Sequence, residues 1–281
     1  MSARSGDGAG FLRARRPEQK QQRTDAILAA ARELGIRDGV GLVSLAAIAA
    51  EVGVHKSALL KYFGTREEIF LQLSETEWLT WADNAVTALA AVTDEGGLAE
   101  VLGRSIADRP LFCQLLTHAS LTLERNVSLD ALRRSKAAAI RSTEAVVDEV
   151  HRLLPDLGRE SCFELVAATA LMAAGLWHVA HPPPAVSALY AEQSAQNAFS
   201  RLAGIDLTAE VSRFVRVFLA GLRSESPRPA LAIGESPRSA LASGESAGSA
   251  LASGESAGSA LASGESAGSA LSDSEDTPPS R

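Results

Sequence analysis

Apolar positions recur at helical spacing along nearly all of the chain between Arg16 and Leu222, with no alternating stretch that would mark a strand. In QKQQRTDAILAAARELGI, Ile27, Leu28, Ala31 and Leu34 form an i, i+1, i+4, i+7 stripe in helix-favouring surroundings. Gly35 and Gly39 close that helix. Ser44 is placed to cap a second helix, Leu45 to about Val52, whose inward positions are Leu45, Ile48 and Ala49. Gly53 then supplies a residue free to adopt positive φ for a sharp turn. The pattern predicts a third helix over His55 to Tyr62 that buries Ala58, Leu59 and the ring of Tyr62 and exposes His55, Lys56, Ser57 and Lys61. Gly64 ends it, and Thr65 with Glu68 reads as a capping box opening a long helix through Phe70, Leu73, Trp78 and Trp81.

Seven helices are expected beyond Gly64. The first runs from Thr65 to about Ala91, followed by Gly97 to Ala107, Pro110 to Leu123 and Ser128 to Leu154. Gly158 to Ala180, Ala185 to Ala203 and Leu207 to Leu222 complete the set. Pro110, Pro155 and the HPPP block at His181 to Pro184 mark breaks. After Leu222 the pattern is lost, and the unit SALASGESAG recurs from Ser239, Ser249 and Ser259. One Leu in ten residues buries too little apolar surface to offset backbone ordering, so residues 224–281 are expected to be a disordered tail.

Charge sharpens this division. The net charge of −7 hides a basic end: residues 1–66 hold 11 Lys/Arg against 6 Asp/Glu, residues 67–223 hold 13 against 20, and residues 224–281 hold 3 against 8. An acidic chain can therefore still present a basic end to a polyanion. The N-terminus has no apolar stretch of signal-peptide type, and the apolar run Val166 to Ala180 is too short for a bilayer, so no membrane partner is expected. Cys113 and Cys162 lack metal-type spacing, which fits a reduced cytoplasm.

Two helices joined by a short glycine-containing turn form a helix-turn-helix, whose second helix can enter a major groove. Its exposed residues suit that use. Lys56 and Lys61 are cations, and His55 and Ser57 can bond base edges or phosphates near a helix start that favours anions. Arg66, beside Thr65 in the first turn of the next helix, is expected to flank a phosphate.

The run AAARELGIRDGV, Ser44, then IAAEVGVHKSALLKYFGTREEIF resembles the DNA-binding domain of the TetR family of bacterial transcriptional regulators. The likeness covers roughly residues 17–72 and rests on Gly53–Val54, Leu59, Tyr62–Phe63 and the Gly-Thr-Arg-Glu-Glu sequence from Gly64. It implies an all-α homodimer with an N-terminal three-helix helix-turn-helix domain and a C-terminal helical bundle for ligand binding and dimerisation. It further implies a repressor bound to an inverted-repeat operator of double-stranded DNA and released by a small, apolar effector. On this pattern residues 1–16 form a flexible basic arm, 17–66 the DNA-binding domain and 67–223 the ligand and dimerisation domain. Tyr62 and Arg66 match the family's phosphate contacts, and His55, Lys56 and Ser57 its base-reading positions. Ser44, Lys61 and Thr65 complete the expected DNA-contacting set. Ala58 and Leu60 stand where the family commonly has Thr and Tyr, which shifts polar contacts towards Lys61 or the arm residues Arg13, Arg15 and Arg16. The resemblance also implies a cytoplasmic, nucleoid-associated protein whose last helices form the dimer interface.

The middle helices are expected to hold the effector, with Phe112, Leu116, His118, Met172, Trp177 and His178 as candidate walls. No cofactor and no metal is expected, because His178 with His181 and Cys113 with His118 are incomplete ligand sets. Two other classes stay open on the residues alone. One is a helix-turn-helix regulator controlled by a protein partner, without an inducer. The other is an enzyme, for which there is no phosphate loop or nucleophile elbow and only Cys113 as a nucleophile, given a low thiol pKa.

Overall fold

A computed structural model describes residues 8–192 and 205–224, with side chains from Glu18 onwards. The described residues are all-α: α1 (Gly8–Leu34), α2 (Leu45–Val52), α3 (Lys56–Leu59), α4 (Arg66–Leu89), α5 (Glu95–Ala107), α6 (Pro110–His118), α7 (Leu129–Leu153), α8 (Arg159–Ala180), α9 (Pro184–Glu192) and α10 (Leu207–Ser224). Wider π-type turns extend α1 over Gly35–Gly39 and α6 over Ala119–Leu123.

Two cores organise them. The first packs Ile27, Ala31 and Leu34 of α1 against Ile48 and Ala49 of α2, Leu59 and Phe63 around α3, and Ile69, Phe70 and Leu73 of α4. This is the three-helix unit that the stripe pattern predicts, closed by the first turns of α4. Full burial of a side chain such as Leu59 stabilises it by about 1.5–3 kcal/mol. The second core joins Trp81 and Leu89 of α4 to Leu98, Leu102 and Ile106 of α5, Val146 and Val150 of α7, Leu165 and Val166 of α8, and Val211 and Val215 of α10. Short α6 serves both, with Leu111 and Leu115 in the first core and Phe112 and Cys113 in the second.

Several boundaries differ from the expectation. α1 begins at Gly8 and so takes in residues 8–16 of the expected arm. α3 is one α-helical turn, Lys56–Leu59, after which Lys61 and Tyr62 make tighter i→i+3 bonds to Ala58 and Leu59 before Gly64. The third expected helix of the C-terminal part ends at His118, where the wider turn begins. Residues 193–203 of the expected helix Ala185 to Ala203, and residues 225–281 of the expected tail, lie outside the described residues.

By length and hydropathy α8 could cross a membrane. One face is instead occupied by α5, α6, α7 and α10, burying Cys162, Leu165, Val166, Thr169, Ala170, Ala173 and Ala174.

Candidate nucleic-acid interface

Local chemistry sets each turn of the helix-turn-helix. Ser44 is extended (φ −97°), and its Oγ accepts the Ala47 N–H at 3.1 Å, capping α2. Gly53 sits at φ +72°, and the N–H groups of Gly53 and Val54 close the helix end on the carbonyls of Ala50 and Ala49 at 3.0 and 2.9 Å. His55 caps α3: its Nδ1 accepts the Ser57 N–H at 3.3 Å and lies 2.9 Å from Ser57 Oγ. In the neutral ring that acceptor role leaves Nε2–H as a donor for another partner.

The outward side of this unit is largely polar. His55, Lys56, Ser57 and Lys61 are exposed, and neither lysine has an ion pair among the described residues. Leu60 stands beside them, 46% exposed, so it is a surface residue rather than packing on α1. Tyr62 is half-buried and lines a groove with Gln19, Lys20, Gln22, Arg23 and Ala26 of α1.

The next pair departs from expectation. Thr65 Oγ1 accepts the Glu68 N–H at 3.2 Å as foreseen, but Glu68 Oε2 accepts from Gly64 N–H at 3.0 Å, one residue before the cap. Glu68 Oε1 accepts the Ser128 N–H at 2.9 Å, tying the end of the helix-turn-helix to the start of α7. Hydrogen bonding from Ser128, with the Gly64 N–H, holds this carboxyl below the usual carboxylate range against its partial burial.

Arg66, an expected phosphate contact, is engaged within the fold. Its Nε and Nη2 donate to the carbonyls of Val43 and Val40, Nη1 pairs with Glu67 at 3.1 Å, and the guanidinium covers the Phe70 ring at 4.7 Å. The side chain is only 16% exposed and clamps the loop before α2 onto α4.

A seam of buried polar groups lies behind this surface. Gln114 of α6, 4% exposed, accepts the Val40 N–H at 2.7 Å and donates to the Gly35 carbonyl at 3.3 Å. Glu77 of α4, 2% exposed, receives Arg109 Nη2 at 2.6 Å and also pairs with Arg32 of α1. His118 closes the seam: its ring lies so close to Gly41 that an added Cβ would stand 3.0 Å from Cε1 and press the ring aside by a few tenths of an ångström. Sequence reasoning missed Gln114 and Glu77. The signal available was an uncharged amide inside the apolar run PLFCQLL, a position that burial allows only with partners.

The six candidate ligand-wall residues do not converge. Phe112 is buried edge-to-face with Trp78 at 5.0 Å, and half-buried Leu116 packs on the second core. Met172 lies on the outer face of α8 with Leu171 and Val179 rather than beside the other five. His118, Trp177 and His178 do come together, with ring centroids at 6.1 Å for the histidine pair and 5.0 Å for Trp177 and His178. Their His118 Nδ1, Trp177 Nε1 and His178 Nε2 are buried without a protein partner. Burial lowers the His118 pKa, reinforced by His178 and Arg66, and burial with His181 lowers that of His178.

Burial raises the thiols, Cys113 to about 12 and Cys162 to about 11, so neither is a thiolate at neutral pH. Cys113 is also fully buried, so it offers no exposed thiol.

The fold and this surface define a helix-turn-helix DNA-binding regulator with a C-terminal helical domain. The family model described as bacterial regulatory proteins, tetR family, matches residues 27–73, and that of the tetracyclin repressor-like C-terminal domain matches residues 75–226. The chain belongs to the TetR family of transcriptional regulators. Among solved structures it is similar to the fatty acid degradation regulator FadR from Bacillus halodurans, with 16% identity and TM-score 0.47 over 72% of this chain and 97% of that one. It is also similar to Bacillus subtilis FadR in complex with stearoyl-CoA, with 14% identity and TM-score 0.44 over 70% and 97%. Thermus thermophilus FadR in complex with lauroyl-CoA gives 18% identity and TM-score 0.45 over 75% and 100%. A comparison with curated proteins returned no match.

Proposed function

We propose that the chain is a homodimeric repressor that binds an inverted-repeat operator and is released by a small-molecule effector. The carrying observation is the exposed run His55, Lys56, Ser57 and Lys61, capped into one orientation and free of ion pairs among the described residues. Uncompensated cations at a helix start favour phosphate, and His55 and Ser57 supply directional groups for base edges. Tyr62, Ser44 and Thr65 are proposed backbone contacts, with the last two also acting as caps.

We assign residues 17–66 to DNA binding, 67–223 to effector binding and dimerisation, and 224–281 to an appendage. The outer face of α8 and α10 supports self-association. Leu171 is 74% exposed, Val217 61% and Phe163 49%, and an apolar groove runs between Ala168, Leu171, Met172, Gly175, Val179 and Phe214. Exposed apolar area of this kind suits an isologous contact between two copies. Release requires coupling from the effector to α3, and Gln114, Glu77, Glu68 and His118 are the groups through which α4, α6 and α7 grip the DNA-binding helices. A regulator of this type works on the chromosome, in the bacterial cytoplasm.

The test is selection of duplexes from a randomised pool, repeated with Lys56→Ala and Tyr62→Phe. An enriched inverted repeat, weakened in both variants, is the expected result. Enrichment of a single unrepeated site would sink the dimeric reading, and no enrichment at low salt would sink DNA recognition altogether.

A further inference from the structure

Three buried polar atoms near the ends of α6 and α8 have no protein partner: His118 Nδ1, Trp177 Nε1 and His178 Nε2. Their rings are neighbours, with centroids 6.1 Å apart for His118 and His178 and 5.0 Å apart for Trp177 and His178. All three side chains are half-buried, so the cluster sits at the edge of the packed helices, within reach of solvent. Its surroundings are held in place. Thr117 Oγ1 donates to the Cys113 carbonyl at 3.1 Å and reaches the Ala174 carbonyl of α8 at 3.5 Å, one residue before His118. Trp177 stacks on His181 at 4.5 Å, and His181 Nδ1 lies 2.9 Å from the Trp177 carbonyl.

The chemistry of these atoms selects a partner. An indole N–H is only a donor, and each neutral imidazole can carry its proton on the nitrogen that lacks a partner. Buried donors left unpaired are costly, so the set is suited to a ligand that brings acceptors. One carbonyl oxygen offers two lone pairs to three donors, whereas a carboxylate offers about four sites on two oxygens. Charge points the same way. The ionisable groups acting on the two rings are basic, Arg66 and His178 on His118 and His181 on His178, and no carboxylate bonds any of the three orphan atoms. An effector that is apolar throughout would leave all three donors unmet.

We propose that this cluster binds an ionised acid group of the effector, a carboxylate or an equivalent oxyanion, which takes hydrogen bonds from His118, Trp177 and His178. The inference rests on the effector-released reading above and names the class of effector. It also supplies a route to the DNA-binding helices. The His118 ring lies against Gly41, and neighbouring Val40 is held by Gln114 through its N–H and by Arg66 through its carbonyl. An anion that draws His118 towards Trp177 and His178 takes the ring off Gly41 and loosens the loop that leads into α2.

The test uses the full chain without DNA and two probes, benzoate and octanoate, each beside its neutral amide. With five histidines in the chain, the imidazole Cε1–H signals in proton NMR can be assigned with His118→Asn and His178→Asn. At least one carboxylate is expected to shift the His118 and His178 signals saturably, with its amide about tenfold weaker or worse. Trp177→Phe, which removes the indole N–H and keeps an aromatic ring, should weaken that carboxylate by about tenfold. The same carboxylate should lower the affinity for a duplex enriched from the randomised pool. No shift with either carboxylate, equal binding of acid and amide, or unchanged affinity in Trp177→Phe overturns the site. The wild-type comparison of acid with amide needs no variant to fold. Carboxylate binding that leaves duplex affinity unchanged overturns the assignment to the effector. If no duplex is enriched, the DNA-binding reading falls and the effector assignment with it, while the NMR titration still decides whether the cluster takes an acid.

Discussion

The recognition face and the seam behind it are held in opposite ways. On the recognition face each turn is closed by a neighbour: Ser44 with Ala47, His55 with Ser57, Thr65 with Glu68. In the seam the partners are 74 and 79 residues apart for Gln114, 60 for Glu68 with Ser128 and 32 for Arg109 with Glu77. Local closure makes α2 and α3 a unit that can move without deforming. Long-range closure makes the seam responsive to displacement of α6 or α7, because each bond there joins segments distant in the chain.

The largest test of that contrast is Glu77→Ala. It leaves Arg109, 17% exposed, without its buried carboxylate, and a loss of about 3–5 kcal/mol in urea unfolding is expected. An unchanged midpoint would mean the ion cluster does not hold the seam. Lys56→Ala should behave in the reverse manner, losing about 1–3 kcal/mol of operator binding with no fall in melting temperature. A matching fall in Tm would show that Lys56 packs rather than binds.

Gly53→Ala probes the local side alone, since an added Cβ meets nothing within 4 Å but must adopt φ +72°. The expected cost is about 1–2 kcal/mol of stability, seen as a shifted denaturation midpoint. No change would indicate that the turn relaxes freely. The smallest effect belongs to acid. His118 and His178 have folded pKa values below the ordinary 6.5, so below that pH the unfolded chain binds more protons than the folded one. Stability should be full above 6.5 and decline as pH falls from there towards the lowered folded values. Unfolding midpoints between neutral and mildly acidic pH, compared with His118→Asn, give the measurement; a profile identical in the variant removes His118 as a source.

Much of the first region was legible in residues because its signals are short. Ser44, Gly53 and Thr65 each act on backbone groups within four positions, and the Ile27, Ala31, Leu34 stripe marks its own buried face, whereas His55, read as the first residue of α3, is its cap. The length of α3 was misjudged because apolar spacing cannot distinguish an α-helix from the tighter turns that carry Lys61 and Tyr62. The bonds of Arg66 were not legible, because the carbonyls of Val40 and Val43 come within its reach only once the loop has folded over α4.

Sequence alone determined the all-α class, the helix-turn-helix, the basic end and the family resemblance, since periodicity, caps and local charge are properties of neighbouring residues. Tertiary structure alone decided that α6 faces two cores, that Gln114 and Glu77 bind across the seam, and that His118 rests on Gly41. Those outcomes depend on which distant groups meet in a low-dielectric interior, where an unpaired polar group is costly and a paired one holds two elements together.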